Sequence, residues 1–187
     1  MRGDNMRADA ARNRQRIFDE AHRAIAAGET ELTLNELARR SGVGVGTVYR
    51  LFPTQRAMLE AVLEVSARDL IRLAEEAGTE SDPHRALEEF LRSALAAALA
   101  RPGLFTVLIT LTDETDSLRE AKGELAARAT QLLGRIDPAP ALTGENLLKL
   151  FCGLIHAISE HPEERRPAAT DAYLQLLRAG LAAGPGA

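Results

Sequence analysis

Apolar positions recur at helical spacing along almost the whole chain. Ile17, Ala21, Ala24 and Ile25, with Phe18 beside them, mark the inner face of a first helix that Gly28 stops. Two short helical patterns follow at 33–41 and 45–51. Met58, Leu59, Val62, Val65, Leu70 and Leu73 then run along a long amphipathic helix that ends at Gly78. Asp82 before Pro83 reads as an N-cap followed by proline at the first helical position. From there Leu87, Phe90, Leu91, Ala94, Leu95, Ala98 and Leu99 hold the i, i+3, i+4, i+7 spacing until Pro102 and Gly103 interrupt it. The segment "LFTVLITL" is rich in β-branched residues, but a lone strand has no partner here, so it is expected as a short buried helix. Helices over 115–136, 145–159 and 168–183 complete the series, divided by "DPAPALTG" and "HPEERRP". The pattern predicts an all-α chain of about nine helices without internal repeats.

The two short helices sit in "TLNELARRSGVGVGTVYRLFPTQ", residues 33–55. Thr33-x-x-Glu36 reads as a capping box, with Leu34, Leu37 and Ala38 turned inward. Gly42 stands where the chain leaves the first short helix, a place suited to left-handed dihedrals. Val43, Val48 and Phe52 are apolar anchors for the second. What remains outside is Gly44, Val45, Gly46, Thr47, Tyr49 and Arg50, a poor choice for a helix that has only itself to stabilise. It suits a helix that enters a major groove. Gly44 and Gly46 let the backbone approach closely, and the amides of the helix N-terminus favour a phosphate. Val45 fits a thymine methyl, Thr47 a phosphate or base edge, and Arg50 the two acceptors of guanine. Tyr49 and the capping Thr33 suit backbone phosphates, as do Thr54, Gln55 and Arg56 in the first turn of the next helix. The stretch therefore predicts a helix-turn-helix, helix 33–41 bracing and helix 45–51 reading.

Charge supports this assignment. Residues 1–56 hold 10 arginines against 7 acids, a net +3 on a chain whose total is −4. A basic front on an acidic body fits a polyanion that touches the front alone. The single cysteine, Cys152, excludes an intrachain disulfide and an all-cysteine metal site, which suggests a reducing cytoplasm. No apolar run has the length of a membrane span, and the first residues lack the apolar run of a signal peptide.

"TLNELARRSGVGVGTVYRLFPTQRAML", together with the preceding "RQRIFDEAHRAIAAG", resembles the DNA-binding domain of the TetR family of bacterial transcriptional regulators. The resemblance covers roughly residues 10–62, and the run "GTVYRLFPT" makes it specific. It departs from the commoner pattern at Gly44, Leu51 and Gln55, where serine, histidine and lysine are frequent. The resemblance implies an all-α homodimer with an N-terminal three-helix DNA-binding domain and a C-terminal ligand-binding and dimerisation domain. In this chain those would be residues 10–53 and 54–187, with 1–9 as a flexible arm and 54–77 as the connecting helix. It implies double-stranded operator DNA and a small-molecule effector as partners, no cofactor, and a bacterial cytoplasmic location.

Under that resemblance the effector cavity falls within residues 83–136 and its neighbours, with Phe90, Leu95, Leu104, Phe105, Leu108, Leu111, Phe151 and Ile155 as candidate walls. Aromatic residues are 4% of the chain and tryptophan is absent, which argues against an aromatic cage for a quaternary cation. The last two helices are apolar on more than one side and so must bury more than one side. Leu150, Gly153, Leu154, Ala157, Tyr173, Leu176 and Leu177 are the candidate contacts with a second copy.

Two other readings compete. Cys152 and His156 lie at i, i+4 and raise a nucleophile or metal site, yet a core cysteine beside a surface histidine explains them with less, and no catalytic residues are expected. A helical co-regulator that acts through protein partners keeps the same fold, and the salt dependence of duplex binding separates it from a DNA reader.

Overall fold

Caps and breakers written in the sequence decide where the helices begin and end. A computed structural model of the chain describes residues 2–104, 115–137 and 142–183, with side chains over 9–104, 115–137 and 142–181. Its helices are α1 (Arg2–Ala26), α2 (Leu34–Ser41), α3 (Val45–Leu51), α4 (Gln55–Ala77), α5 (Pro83–Leu99), α6 (Asp116–Ile136), α7 (Gly144–Ser159) and α8 (Arg166–Ala183). A 3-10 turn, Glu163–Arg165, leads into α8, and no strand occurs among the described residues. The fold is all-α, as the periodicity predicts. The helix expected over "LFTVLITL" lies outside the described residues except for Leu104.

One boundary differs plainly. Residues 2–9, expected as a separate arm, continue α1 instead. Ala8, Ala10, Ala11 and the arginines around them are strong helix formers. Arg12 bridges to Asp9 and Gln15 donates to Asp19 at 2.8 Å, both pairs one turn apart.

The chain divides into two compact units, residues 1–65 with 101–118, and residues 66–100 with 119–187. The first unit takes in the front of α4 and a returning segment of the chain. Its core is built from Ile17, Ala21, Ala24 and Ile25 of α1, Leu34, Leu37 and Ala38 of α2, and Val43, Val48 and Phe52 around α3. Met58, Val62 and Leu63 of α4 close it, joined by Leu104 and Leu118. Fully buried residues such as Ile17, Leu37 and Val48 each contribute about 1.5–3 kcal/mol over an exposed side chain.

Leu104 corrects one expectation. Predicted as a wall of the effector cavity, it lies in the core of the first unit instead. The reason is Gly103. A Cβ there would overlap the carbonyl oxygen of Ile25 and crowd Gly28, so only glycine lets the helical residues 102–104 rest on the end of α1. Phe105, Leu108 and Leu111 lie outside the described residues.

In the second unit, α5 packs against α7 and α8, and α7 against α8. Asp82 caps α5 by accepting from the backbone N–H of His84 and Arg85 at 2.9 and 3.3 Å, and Pro83 follows it. Arg135 of α6 donates to the carbonyls of Gly78, Glu80 and Ser81 at 3.0, 2.5 and 3.3 Å, meeting acceptors at and just beyond the end of α4. Arg92 and Asp171, 2.5 Å apart, tie α5 to α8.

Candidate nucleic-acid interface

Thr33 starts α2 by accepting the Glu36 backbone N–H on its hydroxyl at 3.2 Å. The reciprocal half of the expected capping box is missing, because the Glu36 carboxylate is engaged elsewhere. It accepts from Arg39 at 2.6 and 2.9 Å and from Arg40 at 2.9 Å. Those two guanidinium groups hold the Glu36 carboxyl at about 2, well below the usual carboxylate range. Arg40 also reaches Glu29 at 2.7 Å, which fixes the α1–α2 connection to α2.

Gly42 ends α2 at φ 66°, the left-handed cap its position predicts. Val48 is fully buried and Phe52 nearly so, and together they seat α3 against the first unit's core. On the opposite side of α3 lie Val45, Gly46, Tyr49 and Arg50. Val45 is 47% and Tyr49 46% exposed, so two large side chains of α3 face outward from the core that anchors it. Arg50 donates to the Thr47 hydroxyl at 3.1 Å, which lays its guanidinium along the outer surface of the helix.

The glycines decide what kind of surface this is. A Cβ at Gly44 or at Gly46 would meet nothing within 4 Å, so packing within the chain requires neither glycine. Gly44 also has an ordinary φ of −59°. Glycine within a helix costs about 1 kcal/mol relative to alanine. The two glycines leave the start of α3 open to close approach from outside the chain.

At the start of α4, Thr54 accepts the Ala57 backbone N–H at 3.0 Å. Gln55 donates to the Thr30 carbonyl at 3.3 Å, and Arg56 donates to the buried Glu60 at 3.1 Å. Of the ten predicted contact residues, Thr33, Gly44, Val45, Gly46, Tyr49, Arg50 and Thr54 are exposed and Thr47 is half-buried. Gln55 and Arg56 face internal partners that brace the motif. One basic residue escaped the sequence reading. Arg16 of α1 leans over the turn, and its Nη2 lies 2.8 Å from where a Cβ on Gly42 would stand. Its only signal in the sequence is its place just before the first core residue, Ile17.

The predicted cavity walls Phe90, Leu95, Phe151 and Ile155 are all buried in the second unit. Leu154 is buried, Ala157, Tyr173 and Leu177 are half-buried, and Gly153 is exposed. Leu150 and Leu176 stand in solvent at 40% and 69% exposure. Leu142, Leu154, Tyr173, Leu176, Leu177, Gly180 and Leu181 line one apolar groove on this unit. The Cys152 thiol is pushed up by burial, and His156 is exposed. Among the described residues no three His, Cys, Asp or Glu side chains are placed to hold a metal, and no helix is long and apolar enough to cross a membrane.

An all-helical fold that offers a short, glycine-smoothed helix behind a bracing helix defines a class, the helix-turn-helix DNA-binding proteins. Residues 17–62 match the family described as bacterial regulatory proteins, tetR family. Across 83% of its length the chain is 31% identical to a TetR transcription regulatory protein from Mycobacterium vanbaalenii, covering 97% of that structure at a TM-score of 0.57. The chain belongs to the TetR family of bacterial transcriptional regulators and is a DNA-binding regulator of transcription. A helix-turn-helix transcriptional regulator from Staphylococcus aureus (strain USA300) is 38% identical over 66 residues, and that match spans 34% of the relative's length. The fatty acid degradation regulator FadR of Bacillus halodurans shares the fold at a TM-score of 0.68 and 16% identity, over 89% of this chain and 98% of that one.

Proposed function

We propose that the protein is a ligand-responsive repressor that binds a pseudo-palindromic operator as a homodimer and leaves it when a small, largely apolar effector binds. The observation that carries the reading is the outer face of α3, where two glycines that the fold does not need flank exposed Val45 and stand beside Tyr49 and Arg50. Val45 meets a thymine methyl, and Arg50 leaves Thr47 to pair with guanine. Thr33, Thr47, Tyr49 and Thr54 hold phosphates and set the register. Gln55 and Arg56, bonded to Thr30 and Glu60, keep the first turn of α4 at the groove edge.

The homodimer reading is supported by Leu150 and Leu176, large apolar residues left in solvent on α7 and α8, beside the exposed Gly153. A two-fold contact there buries them and presents two copies of α3 to half-sites about 34–36 Å apart. The effector reading follows from the family; Phe90 and Leu95 on α5 and Phe151 and Ile155 on α7 are buried where those two helices pack. An effector that prefers a subunit arrangement out of step with the groove shifts the equilibrium by about 1–3 kcal/mol per site.

The test is fluorescence anisotropy with duplexes tiled across the DNA beside the protein's own coding region. One duplex carrying an inverted repeat should bind far tighter than the rest, and apolar small molecules should release it. Equal affinity for every duplex, or a complex that no effector loosens, would refute repression by effector release.

A further inference from the structure

We infer that Arg16, with Arg12 one turn before it, forms a phosphate clamp beside the reading helix, holding the duplex backbone next to each half-site independently of sequence. This rests on the DNA-binding reading of α3.

The net +3 of residues 1–56 belongs wholly to residues 1–16, which hold 5 arginines against 2 aspartates; residues 17–56 hold 5 arginines and 5 acids and balance. The same first 16 residues precede the core. Side chains from 9 to 16 are exposed apart from the half-buried Asn13, and Ile17 is the first to be buried. A helix segment that is polar all round lacks the apolar stripe that normally holds a helix in place. Its surplus charge is of the sign that a duplex attracts, at the end of the chain nearest in sequence to the reading motif.

Geometry then singles out Arg16. Its guanidinium lies over the αL turn at Gly42, two residues before Gly44, the N-cap of α3. A phosphate approaching the α3 N-terminus therefore meets a positive charge already stationed at the turn. Among the described residues Arg16 has no carboxylate partner, whereas Arg23 and Arg40 are bonded to Glu20 and Glu36. Arg12, at i−4 on the same side of α1, is bonded to Asp9 across an exposed i, i+3 pair. Such exposed pairs are weak and exchange readily for a phosphate oxygen. Gly42 serves both needs, since it takes the positive φ and leaves the space the guanidinium fills.

The experiment measures binding of the full-length protein to its tightest duplex, and to a random duplex, across a salt series. Arg16→Gln should weaken both complexes by the same factor and lower the salt slope by about 1 per subunit. Arg16→Lys should restore the slope, because charge rather than the planar fork is what a phosphate clamp needs. Arg12→Gln should act in the same direction with a smaller effect, and Arg23→Gln, bonded to Glu20 further along α1, should leave the slope unchanged. A wild-type slope in both Arg16→Gln and Arg12→Gln, with only a lowered melting temperature, would overturn the clamp and leave Arg16 as a cap on α2. Absence of salt-dependent binding in the unaltered protein would remove the DNA-binding reading as well, so the two failures are separable.

Discussion

Glu60, 2% exposed in α4, accepts hydrogen bonds from Arg56 Nε and from the backbone N–H of Thr115, each at 3.1 Å. Thr115 stands 55 residues further along the chain, so one carboxylate ties the returning segment back to α4 within the first unit. Gly103 and Leu104 dock the other end of the same segment on α1 and its core. Glu60→Ala removes the buried acceptor shared by the Thr115 amide and the part-exposed Arg56 guanidinium, and is expected to cost about 1–3 kcal/mol. Glu60→Gln, which keeps one acceptor, should cost less. Thermal unfolding followed by circular dichroism checks the order; equal melting temperatures for Glu60→Ala and the unaltered protein would refute it.

Gly46→Ala separates stability from function. Because a Cβ there meets nothing within 4 Å, the substitution should raise helix stability by up to about 1 kcal/mol. Operator affinity should fall about tenfold or more, since the new methyl stands between backbone and duplex. A variant that is more stable and binds as well as before would show that the smooth face has another purpose.

Arg50 and Tyr49 should fail in different ways. Arg50→Ala is expected to relax discrimination at one base position, costing about 1–3 kcal/mol on the operator and little on random DNA. Tyr49→Phe removes a hydroxyl assigned to a phosphate and should weaken all duplexes alike. Competition binding against operator variants reads both; uniform loss for the arginine change would move Arg50 to the phosphate group of contacts.

Acid should loosen the first unit through Glu36. Its folded-state carboxyl lies at about 2 against an ordinary 4.5, held there by Arg39 and Arg40. A depressed value means the contribution is complete above the unfolded-state value and is lost as pH falls from about 4.5 towards 2. Urea midpoints should therefore drop across this window, and Glu36→Gln should flatten the drop. An unchanged slope in that variant would place the acid sensitivity elsewhere, with Asp82 the next group to test, its carboxyl lowered by the Arg85 and His84 backbone N–H groups.

The exposed apolar face of the second unit makes its own prediction. Leu176→Asp, at a site 69% exposed in the single chain, should leave the melting temperature of the isolated fold almost unchanged yet shift sedimentation from dimer to monomer. A dimer that persists through Leu176→Asp combined with Leu150→Glu would put the two-fold contact on another face.

Much of this protein is settled by local physics, and local physics is readable in one dimension. Thr33 and Asp82 start helices because a side-chain oxygen reaches an amide two or three residues on, and Gly42 ends one because the backbone there needs a positive φ. The inner residues Leu37 and Val48 and the outer residues Val45 and Tyr49 follow from helical period alone, so the outward side of α3 was visible in the sequence. Other features depend on which distant residues share a neighbourhood, and no local pattern carries that information. Glu60 gained the Thr115 amide as a donor only when a segment 55 residues further along the chain came back to α4. Leu104 joined the core of the DNA-binding unit because a missing Cβ at Gly103 let one backbone settle on another. Arg16 gained its station only when α1 crossed the turn at Gly42. Period and propensity act over a few residues and fix the elements; close approach between remote backbones, and the partner a charge finally takes, exist only once the chain has folded.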